Sequence, residues 1–257
     1  MEYPKHLNEK IRIDVAISYL KHELRKLFPS IDLTDVDNLM NNKEIAVPRD
    51  FWNGVHGLGM GFKLHIGFIY LNTAENIKWC FETIDIESLN FGVDRDLTRM
   101  AGSRSVEKIA EYLRDNPKTY DKYLAEFKMS WVEDKQRETD PIIICEKKDG
   151  LAVYEGNGRT EKLILDKAKN TTGYVGRYTT TEKRPLNYWL PTSVIMDFLF
   201  FIYQAIEENN QDLFKNQMIV LKNMLRDSES GKKEFFERAL SNKKEYREKI
   251  LKAMEFI

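Results

Sequence analysis

The residues best suited to do chemistry stand in one run, Glu155-Gly156-Asn157-Gly158-Arg159-Thr160. Leu151-Ala152-Val153-Tyr154 before it has the pattern of a returning strand, and Thr160 to Ala168 after it has helical composition. A strand, a glycine-bracketed turn and a helix suit anion capture. Gly156 and Gly158 let the backbone come close to a ligand. The first amides of a helix are unpaired and its dipole favours negative charge at that end. Arg159 adds a guanidinium matched to two phosphate oxygens. Thr160 offers a hydroxyl, and Glu155 a general base or a carboxylate beside a metal. The plainer account is a tight turn with Arg159 on the surface, but Asn157, Arg159 and Glu155 beside the glycines favour a functional role.

Few other residues compete. Arg95, Arg99 and Arg104 precede a helix and could clamp a triphosphate tail, although surface charge explains them as well. Asp94 and Asp96 could hold magnesium with a nucleotide, but a solvated acidic turn is the more ordinary reading. His6, His22, His56 and His65 share no metal-ligand spacing, and Cys80 and Cys145 are too far apart in sequence for a zinc site, so no metal ligands are assigned. Both cysteines sit in apolar surroundings and read as buried thiols in a reducing compartment. The Gly54–Gly61 stretch lacks the lysine and threonine of a P-loop and reads as packing or a lid. Tyr188 and Trp189 could stack on a base, though buried aromatics beside Pro191 are commoner.

The elements that must position the motif follow from periodicity. Leu7 to Phe28 reads as a helix ended by Pro29. Leu64, Ile66, Phe68 and Tyr70 alternate as in a strand, and so do Thr83 to Glu87. Leu89 to Gly92 reads as a strand exit, and Asp94 to Arg99 as irregular chain. Ser103 or Ser105 caps a helix through Val106, Ile109, Ala110 and Leu113, closed at Asn116-Pro117. Tyr120, Tyr123, Phe127 and Trp131 mark another helix. Pro141 to Cys145, the turn Lys148-Asp149-Gly150 and Leu151 to Tyr154 form a hairpin. Beyond Asn170 lie Thr-rich loops. Thr192 then caps a long apolar helix, followed by helices over about 211–226, 232–240 and 243–255.

Bulk numbers exclude some classes. The chain has 257 residues, 42% hydrophobic and 32% charged, with a formal net charge of -1, so no global basicity announces nucleic acid. The most apolar stretch, Leu190 to Ile206, is 17 residues long and holds Asp197, which favours a core helix over a membrane span. Met-Glu-Tyr-Pro-Lys-His at the N-terminus lacks the layout of a signal peptide.

Residues Thr83 to Lys169 resemble the ParB/sulfiredoxin superfamily, which includes partition proteins, sulfiredoxins and free-serine kinases. Ile84-Asp85-Ile86-Glu87-Ser88-Leu89 resembles its opening strand and Asp94-Arg95 through Arg104 its first basic box. Val106 to Asn116 resembles the next helix, with Asn where the family commonly has Gly. Pro141-Ile142-Ile143-Ile144 with Lys148-Asp149-Gly150 resembles its hairpin. Glu155-Gly156-Asn157-Gly158-Arg159 stands where partition proteins carry G-E-R-R and sulfiredoxins G-C-H-R. Gly158 departs from that pattern, the segment from Asn116 to Pro141 is longer than usual, and the absence of Cys from the motif excludes sulfiredoxin chemistry. The same five residues match the second half of the Fic motif, H-x-F-x-D/E-G-N-G-R. There Leu151 replaces the catalytic histidine, Val153 the phenylalanine and Lys162 the closing arginine, and a hairpin stands where a helix is expected.

The expected fold is therefore α+β. A small mixed sheet of ParB-like type over residues 81–190 is joined to a mainly helical extension over 1–80 and a helical bundle over 191–257. The ParB resemblance implies a protein that binds ATP or CTP, with Mg2+, and hydrolyses or transfers a phosphate in phage, plasmid or chromosomal DNA metabolism. Glu155 and Arg159 would be catalytic, with Gly156, Asn157, Gly158, Thr160, Arg95 and Arg104 binding nucleotide. The alternatives are a non-catalytic DNA-associated adaptor switched by nucleotide and a Fic-like nucleotidyltransferase. Nucleotide and DNA are the expected partners, a homodimer is allowed, and the expected setting is cytoplasmic with no membrane partner.

Overall fold

The computed structural model describes residues 9–27, 63–131, 140–239 and 244–255. Among these residues it is α+β, as expected, with one five-stranded mixed sheet. The chain divides into two compact units. Among the described residues, one contains 14–27, 78–131 and 140–183, and the other contains 9–13, 63–77, 184–239 and 244–255. The sheet unit thus takes in most of the first helix, α1 (Lys10–Leu27).

In the sheet unit, β1 (Ile77–Asp85) leads through a single 3-10 turn at Ile86–Ser88 to β2 (Leu89–Phe91). Two short helices follow, α3 (Asp96–Ala101) and α4 (Val106–Asp115), numbered after α2 of the other unit. Next come α5 (Pro117–Trp131), β3 (Ile142–Lys147), β4 (Gly150–Glu155), α6 (Asn157–Leu165) and β5 (Asn170–Tyr178). The strand order is β1-β5-β3-β4-β2. The hairpin β3–β4 is antiparallel, whereas β2 runs parallel to β4 and β5 parallel to β3. Strand β3 is central, and Ile142, Ile143, Ile144 and Cys145 are all buried, which explains its unbroken apolar run. Helix α4 turns Val106, Ile109 and Leu113 onto the same core as Ile84, Phe91, Leu97, Val153, Ile164 and Val175. Ser105 caps it, accepting from the Lys108 amide at 3.4 Å. Helix α5 lays Tyr120, Tyr123 and Phe127 against this core, and the Tyr120 hydroxyl donates to the Leu165 carbonyl at 2.7 Å.

The other unit holds α2 (Lys63–Thr73) and a helical C-terminal region. The latter consists of α7 (Thr192–Glu207), α8 (Gln211–Arg226), α9 (Glu229–Glu234) and α10 (Lys244–Glu255). Val194, Ile195, Leu199 and Ile202 pack there with Phe214, Met218, Leu221 and Phe235. Buried Arg12 closes the first turn of α1 onto this unit, its guanidinium donating to the carbonyls of Asn72, Ala74 and Ile77. Among the described residues no helix is long and apolar enough to cross a membrane. The apolar stretch from Leu190 enters α7 instead.

Several local expectations are corrected. Leu64 to Tyr70 belongs to helix α2, not to a strand. The successive residues Phe68 and Ile69 are both fully buried, and a segment apolar on every side shows helical and strand periods equally. Asp94 to Arg99 is not irregular throughout, because α3 starts at Asp96. Its start is secured by the Thr98 hydroxyl, which accepts from the Arg95 amide at 2.8 Å. Of the Thr-rich segment after Asn170, Asn170–Tyr178 is β5 rather than loop, and 179–191 is loop as expected. The glycines of β5 are required by close neighbours. A Cβ at Gly173 would meet the Ile142 carbonyl oxygen at 2.7 Å, and one at Gly176 the Trp79 ring at 3.0 Å. Thr192 is the first helical residue of α7, and Pro191 holds the cap position without a side-chain bond. The helix expected over 232–240 starts at Glu229 and passes into a π-helical turn at Phe235–Ala239. The Gly54–Gly61 stretch, His6 and His56 lie outside the described residues.

Both cysteines are free, Cys145 buried in β3 and Cys80 only partly buried in β1. Burial pushes the Cys145 thiol up to about 12. At about pH 8 an alkylating reagent should therefore label native protein at Cys80 alone, with Cys145 labelled only after unfolding. Peptide mass mapping checks this, and rapid native labelling of Cys145 would refute it.

Candidate functional site

Strand β4 delivers Glu155 at its end, opposite Ile143, and the β3–β4 register shifts between Ile143 and Ile144. Such an irregularity re-aims the residues beside it. Gly156 follows with φ 102° and ψ 22°, a left-handed conformation that turns the chain from strand into α6. No side chain caps the start of α6. Asn157 and Gly158, the first two helical residues, are partly exposed. The Glu155 carboxylate folds back so that Oε1 accepts from the Gly156 amide at 2.8 Å.

The remaining motif residues turn inward. Arg159 is 5% exposed, and its Nη1 donates to the carbonyls of Asp140 and Pro141, tying α6 to the chain just before β3. Thr160 is fully buried and its hydroxyl donates to the Gly156 carbonyl at 3.1 Å. These two side chains frame the turn. Arg95 is brought to the flank of α6 rather than to its start. Its Nε and Nη2 donate to the two oxygens of Glu161 at 3.1 and 2.5 Å, and the Tyr123 hydroxyl donates to the same carboxylate at 3.2 Å. Glu161 is fully buried, so this bidentate pair holds a carboxylate that water cannot reach. The bond to Glu161 also raises the Arg95 pKa. Arg104 stays at the surface, where Nε donates to Asp94 at 2.8 Å. That bond holds the Asp94 carboxyl below its usual range. Arg99 pairs with Asp96 in the same exposed region.

Two residues absent from the motif join it. His22 and Glu23 of α1 place one ligand atom each within 4.8 Å of one another and of a Glu155 oxygen, and all three side chains are buried. His22 Nε2 is in contact with Glu155 Oε1. Neither His22 ring nitrogen makes an aligned hydrogen bond. Tyr19 of α1 packs against Tyr154 of β4, with ring centroids 6.0 Å apart. Both phenols are held well above their ordinary range, chiefly by burial and further by Glu23 and Glu155. Helix α1 thus covers the end of β4 with polar groups. The spacing test applied to the histidines could not find this, because the partner of His22 lies on a distant strand. A usable signal was the stripe Val15, Ala16, Tyr19, Leu20, which is buried and continues at 22 and 23. A histidine and a glutamate therefore occupy core positions of an amphipathic helix.

The chain matches no family model, no curated protein and no solved structure. A cavity of about 650 Å³ also opens in this unit, lined by Arg114, Tyr120, Lys167 and Lys169 among others. It lies at the C-terminal end of α6, so a ligand seated there would meet the opposite end of the helix from the turn.

Proposed function

We propose that this chain is a ParB-like nucleotide-binding protein that takes the phosphates of ATP or CTP at the start of α6. The observation that carries the reading is the start of that helix. Gly156 begins it in a left-handed conformation, no side chain caps it, and Asn157 and Gly158 are partly exposed. Helix-start amides with no side-chain cap attract an anion. The order of elements, from strand through helices to hairpin, turn, helix and closing strand, supports the same reading. In it the amides of Asn157 and Gly158 contact phosphate, while Arg159 and Thr160 hold the turn in shape. Glu155 is the base or metal-organising carboxylate, and hydrolysis or transfer of a phosphate follows by positioning and charge stabilisation. The setting is the reducing cytoplasm and the role lies in phage, plasmid or chromosomal DNA metabolism, with DNA as partner and a homodimer allowed.

The test is a melt in the presence of each nucleoside triphosphate with and without Mg2+, followed by phosphate release. A ligand at a hundred times its dissociation constant adds about 2.7 kcal/mol to native stability. At roughly 2–4 °C per kcal/mol this raises the melting temperature by about 5–10 °C. Glu155→Gln should retain the shift and lose phosphate release. Binding without turnover in the parent protein would favour the nucleotide-switched adaptor, and no shift with any nucleotide would remove the proposal.

A further inference from the structure

The structure assigns a second role to the end of β4: we infer that His22, Glu23 and Glu155 form a binding site for a divalent transition-metal ion. This goes beyond the nucleotide reading and does not depend on it, since the three ligands converge whether or not an anion binds at the start of α6.

Two independent observations carry it. The first is convergence. One imidazole nitrogen and two carboxylate oxygens, from a helix and a strand far apart in sequence, lie within 4.8 Å of one another in a buried setting. Donors about 2.0–2.2 Å from a single ion lie within about 4.4 Å of one another, so modest side-chain movements would seat one here. The second is the state of His22. The residue is 8% exposed, yet neither Nδ1 nor Nε2 makes an aligned hydrogen bond. Burying a polar group without a hydrogen bond is costly, even where one nitrogen touches a carboxylate as Nε2 does, and such groups call for an explanation. A ring nitrogen that directs its lone pair at a cation supplies one, and the contact between Nε2 and Glu155 Oε1 places the ring where it would do so.

The donor set selects the ion. Mg2+ and Ca2+ prefer all-oxygen surroundings. An imidazole with two carboxylates suits Zn2+, Mn2+ or Fe2+. Three protein donors leave coordination positions open for water or another oxygen ligand, as in sites where a metal acts on substrate. Because Glu155 also accepts from the Gly156 amide, a metal here sits next to the start of α6.

The full chain, stripped with chelator and returned to chelator-free buffer, is titrated calorimetrically with Zn2+ and separately with Mn2+. One equivalent should bind. Electron spin-echo modulation of the Mn2+-loaded protein should show a nitrogen nucleus coupled to the metal, and His22→Gln should abolish it. His22→Gln and Glu155→Gln should each weaken Zn2+ binding roughly tenfold or more. Absence of stoichiometric binding, or bound Mn2+ with no nitrogen coupling, overturns the inference. The spectrum of the parent protein decides even where a variant fails to fold. Nucleotide titration in chelator separates this proposal from the previous one. Binding there with no metal site leaves the nucleotide reading intact, and a metal site with no nucleotide binding leaves this one.

Discussion

Arg95→Ala should lower the melting temperature by roughly 6–12 °C, the equivalent of about 3 kcal/mol at this chain size. The reason is the partner left behind. Glu161 is fully buried on α6, and its carboxylate is held by both Arg95 donors and by the Tyr123 hydroxyl. Removing the guanidinium strands a charge where water cannot solvate it, which costs far more than the pair itself contributes. The contrast is Arg104→Ala, which removes an equally well-formed bond to Asp94 between two exposed side chains. That change should stay within about 0.5 kcal/mol of the parent. Thermal or urea unfolding of both variants checks the pair of expectations. Replacing Arg95 and Glu161 together by apolar residues should recover much of the loss. If Arg95→Ala melts with Arg104→Ala, the burial of Glu161 is not what matters.

Gly156→Ala is the second large effect. At φ 102° an L side chain is strained, and its Cβ would lie 2.6 Å from Ile142 Cγ2 and 3.0 Å from Arg159 Nη2. Left-handed strain of roughly 1–2 kcal/mol and overpacking of roughly 1–3 kcal/mol together imply a loss of about 3 kcal/mol. Gly102→Ala separates the two contributions. Gly102 has φ 61° but nothing within 4 Å of a Cβ, so only the backbone strain should register. Equal destabilisation of the two variants would show that Ile142 yields freely. In the nucleotide reading, Gly156→Ala also displaces the helix start and so weakens the ligand-induced rise in melting temperature.

How legible all this was depends on whether the signal is local. The hairpin at Lys148-Asp149-Gly150, the helix over Val106 to Asp115 and the glycine turn were readable because each rests on neighbouring residues: a turn dipeptide, a cap, a period of 3.6. The α+β class followed from their sum. Strand β5 was not readable. Gly173 and Gly176 are poor strand formers in isolation, and they are explained only by Ile142 and Trp79 pressing on them from adjacent strands. Leu64 to Tyr70 failed for the opposite reason, an excess of apolar residues that erased any period. At the site, the strand-end position of Glu155 and the glycine turn at Gly156 were legible. The inward turn of Arg159 was not, because its acceptors are backbone carbonyls that no sequence pattern marks. His22 and Glu23 were hidden by distance along the chain.

The place of β5 in the sheet constrains how the protein can be made. Strand β1 emerges from the ribosome early, but its neighbour in the order β1-β5-β3-β4-β2 is β5, which ends at Tyr178. Until that segment has been synthesised, β1 has no strand to pair with, whereas β2, β3 and β4 can already associate. At roughly 5–20 residues per second the wait lasts several seconds or more. Any nascent chain halted before β5 therefore leaves β1 unpaired and opens the β3 edge that β5 covers in the finished sheet, and is the form of this protein most exposed to aggregation and most in need of a chaperone.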